Sequence, residues 1–437
     1  MKKLFALVCF FQILGVGYAQ RQAPQSLVIT NARIIDGNGG VIQRGSVVIR
    51  NGRIASVAAG NANEPGARQI DVRGMTVMPG FIEDHRHVIA ADFPPGDPVK
   101  WMKDEAAARM QEFLDAGFTT VQSCGDAPQQ IVELQKQLIA GTIKGPRLYT
   151  AAFVQLAAPT PQPGVPPGPP RVDPARTDPS RNRPTTPARA IPDEQTRAAV
   201  RQLKQAGVDV VKAVLSITPG GPEEHTLSVA IDEAKKVGMP VFVHAVSVED
   251  TLAAVRTHPD VLVHTPHIGQ LTPDQVKTIV GARIPMMSTL GVFIPTFAEQ
   301  NQRAQKRTGL DNTPRFRDLD PFPMETLSSA GQGPVNARLL WDAGITYGYG
   351  TDTTFLPKDS LAQELRALHL VFSAQDIVKI MTKNAAAVIG KSKDIGTLEN
   401  GKIADLVVID GDPLASVDDL LKVKTVIKDG QVFVDKR

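Results

Sequence analysis

An apolar run passes directly into imidazole and carboxylate side chains in the stretch Val77-Met78-Pro79-Gly80-Phe81-Ile82-Glu83-Asp84-His85-Arg86-His87. Its apolar half favours a buried β-strand. Successive side chains of a strand point to opposite faces, so we expect His85 and His87 on one face and Arg86 on the other. Two imidazoles on one face at the end of a strand are well placed to hold one metal ion. A lone pair of this kind also arises by chance.

Seven further strand-like segments follow this stretch, and most are separated by amphipathic stretches that end in glycine, the usual signal of a helix C-terminus. These segments are residues 118–124, 147–154, 209–215, 240–246, 261–267, 284–290 and 345–352. Eight strands alternating with helices predict a (β/α)₈ barrel, known as a TIM barrel, over residues 77–390.

Both ends of the mature chain have a different, β-rich pattern. Short β-branched runs in residues 24–76 are separated by turn signals such as Asn51-Gly52, and residues 391–437 repeat the style with Asp429-Gly430. Asn-Gly and Asp-Gly favour the tight turns of β-hairpins. We therefore expect a small β-sandwich domain built from the two halves, 24–76 and 391–437, beside the barrel.

The composition is that of a folded protein with a large core. The chain has 437 residues, of which 42% are hydrophobic and 5% aromatic, and its formal net charge is +3. These values exclude a disordered or multi-span membrane protein. The small net charge and the few aromatic residues give no reason to expect nucleic acid as a partner.

The N-terminus has the features of a secretory signal. Lys2 and Lys3 precede an apolar run over residues 4–16, and Gly17-Tyr18-Ala19 follows. The run is shorter than the roughly 20 residues of a membrane-spanning helix. We therefore expect a signal peptide over residues 1–19 and an exported protein, periplasmic or secreted, with no membrane attachment after cleavage.

A proline-rich segment interrupts the barrel pattern after the third strand. Twelve prolines fall within residues 159–192, which excludes a helix or an interior strand there. Because this insertion follows the carboxyl end of a barrel strand, it lies on the face where barrel active sites occur. Two interpretations stay open, a disordered surface insertion and a semi-rigid lid.

Further ligand-type side chains end other predicted strands. His244 ends the fifth strand, His264 the sixth and Asp352 the eighth, so with His85 and His87 they are expected at one mouth of the barrel. Such a convergence indicates a metal centre, for which zinc is the first choice and manganese, cobalt or iron are alternatives. Lys212 lies inside the apolar fourth strand, where a lysine is costly unless it is paired or chemically altered.

Together these residues resemble the metal-dependent amidohydrolase superfamily, especially its imidazolonepropionase-like and prolidase-like members. The resemblance covers nearly all of the mature chain. It rests on these motifs: Pro79-Gly80-Phe81-Ile82 with His85 and His87, Gly117-Phe118-Thr119-Thr120-Val121, Gly145-Pro146-Arg147, Gly350-Thr351-Asp352, Thr382-Lys383-Asn384-Ala385-Ala386, and residues 396–406. One departure is Glu83, where relatives usually carry aspartate.

The resemblance implies a centre of two divalent ions, with zinc expected first. His85 and His87 would hold the more buried ion, and His244 and His264 the more exposed one. Lys212 matches the position where many relatives carry a lysine that has reacted with CO₂, and the resulting carbamate would bridge the ions. Asp352 would be both a metal ligand and the catalytic group that orients a metal-bridging hydroxide and passes its proton to the leaving nitrogen.

The function expected from this centre is hydrolysis of a C–N amide bond, in a cyclic amide or an N-acyl compound, by an exported metal-dependent enzyme. A dipeptidase acting on Xaa-Pro substrates is the alternative, and lactone or phosphotriester hydrolysis is a weaker third. The expected partner is a small-molecule amide or a peptide, and a homo-oligomer is compatible with the sequence. Weak candidates for substrate contacts are Arg86, His267 and Tyr349.

Overall fold

The computed structural model describes residues 26–89, 97–158, 187–293, 331–353 and 356–437. The expected signal peptide, residues 1–19, and most of the proline-rich insertion lie outside the described residues. The two ends of that insertion meet, because the backbone N–H of Ala158 donates to the carbonyl of Arg189 (2.9 Å). Across the described residues, none of the helices has the length and apolar character needed to cross a membrane.

The β-rich ends of the chain form one eight-stranded sheet. Its spatial order is β17-β16-β15-β5-β1-β2-β3, with β4 paired to β1. The strands are β1 (Leu27–Ile35), β2 (Val41–Arg50), β3 (Arg53–Ala59), β4 (Arg68–Asp71), β5 (Thr76–Pro79), β15 (Leu406–Ile409), β16 (Val423–Lys428) and β17 (Gln431–Asp435). Strand β5 is hydrogen-bonded to β1 and to β15, so the two halves are joined in the middle of the sheet. This sheet buries a core of its own, with Ile29, Val47 and Leu406 among its residues.

The middle of the chain forms parallel strands in barrel order. They are β6 (Phe81–Arg86), β7 (Phe118–Ser123), β8 (Arg147–Tyr149), β9 (Ala151–Val154), β10 (Val210–Val214), β11 (Val241–His244), β12 (Val261–Val263), β13 (Met286–Met287) and β14 (Tyr347–Gly348). Neighbours pair as β6-β7-β8 and as β9 through β14 in sequence order. Strands β8 and β9 are two parts of the third barrel strand, interrupted only at Thr150. Hydrogen bonds from Asp84 N to Tyr349 O (2.7 Å) and from Asp352 N to His85 O (2.9 Å) join the first strand to the end of the eighth.

Helices follow most of these strands. They are α1 (Pro98–Asp104), α2 (Ala106–Asp115), α3 (Pro128–Ala140), α4 (Asp193–Ala206), α5 (Glu223–Lys236), α6 (Val248–Thr257), α7 (Pro273–Gly281), α8 (Gln332–Asp342), α9 (Pro357–His369), α10 (Ala374–Lys379) and α11 (Ala385–Val388). The predicted glycine stop is seen in α4, where Gly207 adopts φ +86° directly after the helix. The prediction of a (β/α)₈ barrel with a small β domain made from both termini is confirmed.

The strand expected over residues 77–87 is two strands with different partners. Strand β5 belongs to the small-domain sheet, and β6 is the first barrel strand. The break falls at Gly80, which has no room for a side chain, because a Cβ there would lie 2.3 Å from Thr119 Oγ1. The N–H of Gly80 donates to the carbonyl of Asp405, which ties the junction to the C-terminal half of the small domain (2.9 Å).

Candidate metal centre

Two histidines at the end of the first barrel strand contact one carboxylate at the end of the eighth. Nε2 of His85 and Nε2 of His87 each lie 3.2 Å from Oδ1 of Asp352. The His85 ring is buried, whereas the side chains of His87 and Asp352 are 28% and 18% exposed. Arg86, between the two histidines, points to the opposite face. The cluster is therefore exposed on the side of His87 and Asp352.

The fifth and sixth strands add two more imidazoles. Nε2 of His264 lies 3.8 Å from Oδ2 of Asp352. The ring of His264 lies 4.9 Å from that of His85 and 4.4 Å from that of His244, centre to centre. The most compact group consists of His85, His264 and Asp352, whose ligand atoms all lie within 4.8 Å of one another. It combines one histidine from each of the two pairs that the resemblance assigns to separate ions.

Lys212 reaches the same cluster from the fourth strand. It is 2% exposed, and its Nζ has no hydrogen-bond partner among the described residues. Burial lowers the pKa of this amine, and the negative charge of Asp352 opposes that shift. A lysine with a lowered pKa has an uncharged, nucleophilic form that reacts with CO₂ more readily than an ammonium does.

Three of the histidines, His85, His244 and His264, are held in their neutral form. Burial lowers the pKa of His85 to about 4 and also lowers the pKa of His244 and of His264. Burial on its own would raise the pKa of Asp352, but the neighbouring His85, His87 and His264 bring it well below its usual range. Neutral imidazoles and an ionised carboxylate are the forms that bind metal ions.

Buried carboxylates hold the backbone around the cluster. Glu83 accepts hydrogen bonds from the backbone N–H and the hydroxyl of Thr351, next to Asp352 (2.8 and 3.0 Å). Burial raises the pKa of Glu83 to about 8. Asp126 accepts from the N–H groups of Val88 and Ile89, directly after His87 (3.0 and 3.1 Å). Glu83 therefore fixes the backbone next to Asp352, at the end of the eighth barrel strand.

Of the three weak candidates for substrate contacts, two lie in the barrel wall. Arg86 is buried and donates to the hydroxyls of Thr353 and Ser360 (2.9 and 2.7 Å). Tyr349 is fully buried with its ring 5.8 Å from that of Phe118. Neither side chain is open to a substrate, because both point to the layer between strands and helices. Their roles as substrate contacts therefore stay predictions, which their burial does not favour.

The third candidate, His267, lies at the edge of the site. Its ring stacks on Phe293 at 3.6 Å between centres, and Phe293 lies edge-on to His264 at 5.4 Å. Burial lowers the pKa of His267 to about 3, so it is neutral. On the other side, the ring of Phe153 stacks on His87 at 6.4 Å. Sequence patterns did not single out Phe153 or Phe293, because a phenylalanine in an apolar segment looks like any core residue.

The donor set fits divalent metal ions. It consists of imidazole nitrogens and carboxylate oxygens, which are the ligands zinc prefers after thiolates. Nε2 of His264 and Nζ of Lys212 are buried without a hydrogen-bond partner among the described residues. A buried polar atom without a partner destabilises the folded protein, unless a bound ion or water satisfies it. A metal ion bound by Nε2 of His264 would satisfy the first of these two atoms.

Comparisons with known proteins agree with this geometry. An imidazolonepropionase of Shouchella clausii (strain KSM-K16) is 34% identical over 109 residues, 23% of this chain and 24% of that protein. An imidazolonepropionase of Geobacillus kaustophilus (strain HTA426) is 23% identical over 91% of both chains. The crystal structure of a putative prolidase from Bifidobacterium longum superimposes with a TM-score of 0.70 at 24% identity, covering 95% of this chain and 97% of that one.

The model of the amidohydrolase family matches residues 76–433, and the chain belongs to that family. Its members are hydrolases of carbon–nitrogen bonds, and dependence on a divalent metal is typical of them. The match to the Shouchella enzyme spans only about a quarter of that protein's length. What the whole chain acts on is therefore a question for proposal and experiment.

Proposed function

We propose that this chain is an exported metal-dependent amidohydrolase that cleaves the C–N bond of a cyclic amide or an N-acyl compound. One observation carries the proposal: His85, His87 and His264, from distant parts of the sequence, converge on the carboxylate of Asp352 within 3.2 to 3.8 Å. Structural histidines are usually satisfied singly, whereas several neutral ones around one carboxylate are the arrangement of a metal centre.

The same residues supply the ligands. His85 and His87 would hold one of two divalent ions, zinc first, and His244 and His264 the other. Lys212, once carbamylated, would contribute two oxygens between them. When bound, such ions supply a Lewis acid for the scissile carbonyl and a water of lowered pKa.

The chain's own catalytic group is Asp352. Its carboxylate is ionised and partly exposed, so it can take a proton from the attacking water and deliver it to the leaving nitrogen. Amine leaving groups need that proton, and therefore a carboxylate beside the histidines suits C–N cleavage. Phe153 and Phe293 flank the cluster with apolar surface, which favours a substrate with an apolar group beside its amide.

A dipeptidase acting on Xaa-Pro substrates is the second candidate. The similarity of the whole fold to that of a putative prolidase supports it. At 24% identity, this similarity concerns the fold and not the substrate. Hydrolysis of a lactone or a phosphotriester ranks below both. The partner in each case is a small molecule.

The test combines metal analysis of the purified protein with a panel of N-acyl amino acids, cyclic imides and dipeptides. We expect about two equivalents of zinc and hydrolysis of amides, and we expect Asp352→Asn to lower kcat by about 10³-fold while leaving the fold intact. Cleavage of Xaa-Pro dipeptides but not of cyclic or N-acyl amides would favour the second candidate. Full activity of Asp352→Asn would remove this residue from catalysis.

Export is a separate part of the proposal. It rests on Lys2, Lys3 and the apolar run that follows them. We expect N-terminal sequencing of the protein from a periplasmic or secreted fraction to begin at Gln20. Recovery of the uncleaved chain from the cytoplasm would contradict it.

A further inference from the structure

The two ring nitrogens of His264 have different surroundings. Nδ1 lies 2.7 Å from the hydroxyl oxygen of Thr289. Nε2 faces Asp352 and has no hydrogen-bond partner among the described residues. The ring nitrogen that is hydrogen-bonded determines which nitrogen carries the proton and which keeps its lone pair. The position of Thr289 therefore allows it to determine which ring nitrogen of His264 is protonated.

Thr289 has a backbone conformation that its side chain disfavours. Its φ is +43°, in the left-handed region, where a β-branched residue is rare. It is fully buried and follows strand β13 by two residues. A strained residue keeps such a conformation only when the surrounding structure enforces it.

The enforcing group is Glu364 of helix α9. Its buried carboxylate accepts hydrogen bonds from Ser288 Oγ (2.7 Å), Leu290 N (3.0 Å) and Gly291 N (2.5 Å), the residues on both sides of Thr289. The approach is close enough that a Cβ on Gly291 would lie 2.8 Å from Glu364 Oε2. Three hydrogen bonds from one side chain thus fix the segment 288–291.

We propose that Thr289 and Glu364 are positioning residues for His264. Glu364 holds the segment 288–291, the segment holds Thr289, and the Thr289 hydroxyl accepts a hydrogen bond from Nδ1–H of His264. This leaves the lone pair of Nε2 directed to the place of the metal ion that His244 and His264 would hold, so the inference rests on the proposed function. Neither residue touches the reacting atoms.

Thr289→Val tests the first step, because it removes the hydroxyl and keeps the shape. The measurement is a zinc titration of metal-free protein against a chromogenic chelator. We expect the weaker of the two zinc affinities to fall about 10- to 100-fold, with the tighter one changed less than 3-fold. Thr289→Ser keeps the hydroxyl and should restore the affinity to within about 3-fold of the wild type.

Thr251→Val is the matched control for loss of a buried hydroxyl. Its hydroxyl donates to the carbonyl of Ser247, the N-cap residue of helix α6 (2.8 Å), and among the described residues no hydrogen bond joins it to a histidine. We expect this variant to bind zinc like the wild type. Thr289→Val binding both ions like the wild type, or Thr289→Ser behaving like Thr289→Val, would overturn the proposal.

The double variant tests whether the two residues act in one path. Glu364→Gln alone should weaken the same zinc affinity, and Thr289→Val with Glu364→Gln should bind no more weakly than Thr289→Val alone within about 3-fold. If the losses of zinc affinity in the two single variants multiply in the double variant, Glu364 does not act through Thr289. If Glu364→Gln fails to fold, the three Thr289 measurements decide the proposal without it.

The zinc titration and the substrate panel report on different claims. If the wild-type protein hydrolyses amides and the Thr289→Val variant binds zinc normally, this inference is wrong and the proposed function stands. If zinc binding depends on Thr289 but the wild-type protein cleaves no amide, the positioning role stands and the proposed function fails.

Discussion

His264, Thr289 and Asp352 have backbone φ angles of +77°, +43° and +49°, in the left-handed region that residues with a side chain seldom adopt. All three lie where the chain leaves a barrel strand, at the mouth that holds the candidate metal centre. His264 and Asp352 could be singled out in the sequence, because imidazole and carboxylate after apolar runs are conspicuous, whereas Thr289 could not. Their conformation could not be read from the sequence, since it depends on partners such as Glu83 and Glu364 far along the chain.

Gly125 offers a test of this geometry at a single residue. Its φ is +119°, and a Cβ there would lie 2.2 Å from the ring of Phe153, which stacks on His87. We expect Gly125→Ala to lower the free energy of unfolding by about 3 kcal/mol, because backbone strain and displacement of the ring add. Chemical denaturation measures the change.

Gly141 is the control for this substitution. It also has a positive φ, +74°, at the end of α3, but a Cβ there would meet nothing within 4 Å. Gly141→Ala should therefore cost only about 1 kcal/mol. Equal losses at the two positions would show that the close approach of Phe153 contributes nothing.

At the level of elements, helix α9 contains a buried glutamate that the pattern of apolar residues does not predict. Glu364 is 1% exposed, although a glutamate on an amphipathic helix normally faces solvent. It is buried because the segment after β13 packs over the helix and supplies three hydrogen-bond donors. Strands, helices and glycine stops follow from local patterns, whereas this contact joins residues more than 70 positions apart.

Glu364 should also make stability depend on pH. Burial raises its pKa from 4.5 to about 7, so the folded protein holds this proton more tightly than the unfolded chain. The resulting stability is complete below about pH 4.5 and is lost as the pH rises through about 7. In metal-free protein, we expect the free energy of unfolding of the wild type to fall by up to about 3 kcal/mol relative to Glu364→Gln over this window.

Denaturation of both proteins at several pH values gives the difference directly, because all other groups titrate alike in the two and cancel. Parallel stability curves between pH 4.5 and 7 would mean that Glu364 is ionised in the folded protein throughout this range.

At the scale of the whole molecule, an ion pair joins the barrel to the small domain. Arg147 of the third barrel strand donates to Asp405 (2.6 Å) and to Asp429 (2.5 Å), both in the C-terminal half of the small domain. Asp405 is 5% exposed and also accepts from the N–H of Asp429. The resemblance marked Arg147 and Asp405 as parts of family motifs, but only the fold shows that they meet. The barrel and its small domain therefore share one buried ion pair.

Arg147→Gln should destabilise both units together. Removing the guanidinium leaves the buried Asp405 without its main partner, which costs about 3 kcal/mol in comparable cases. We expect a single unfolding transition, shifted to lower denaturant. The control is Lys100→Gln, which removes an exposed ion pair with Asp104 on α1 and should cause no measurable change. Two separate transitions in Arg147→Gln would show that the barrel and the small domain unfold independently.

The convergence of His85, His264 and Asp352 is tested most directly by crystals grown with zinc and measured at the zinc absorption edge. The anomalous difference map should show a strong peak about 2.0–2.2 Å from Nε2 of His264 or of His85 and from a carboxylate oxygen of Asp352. A zinc-loaded crystal whose anomalous peaks all lie away from these side chains would contradict the assignment of this barrel mouth as a metal centre.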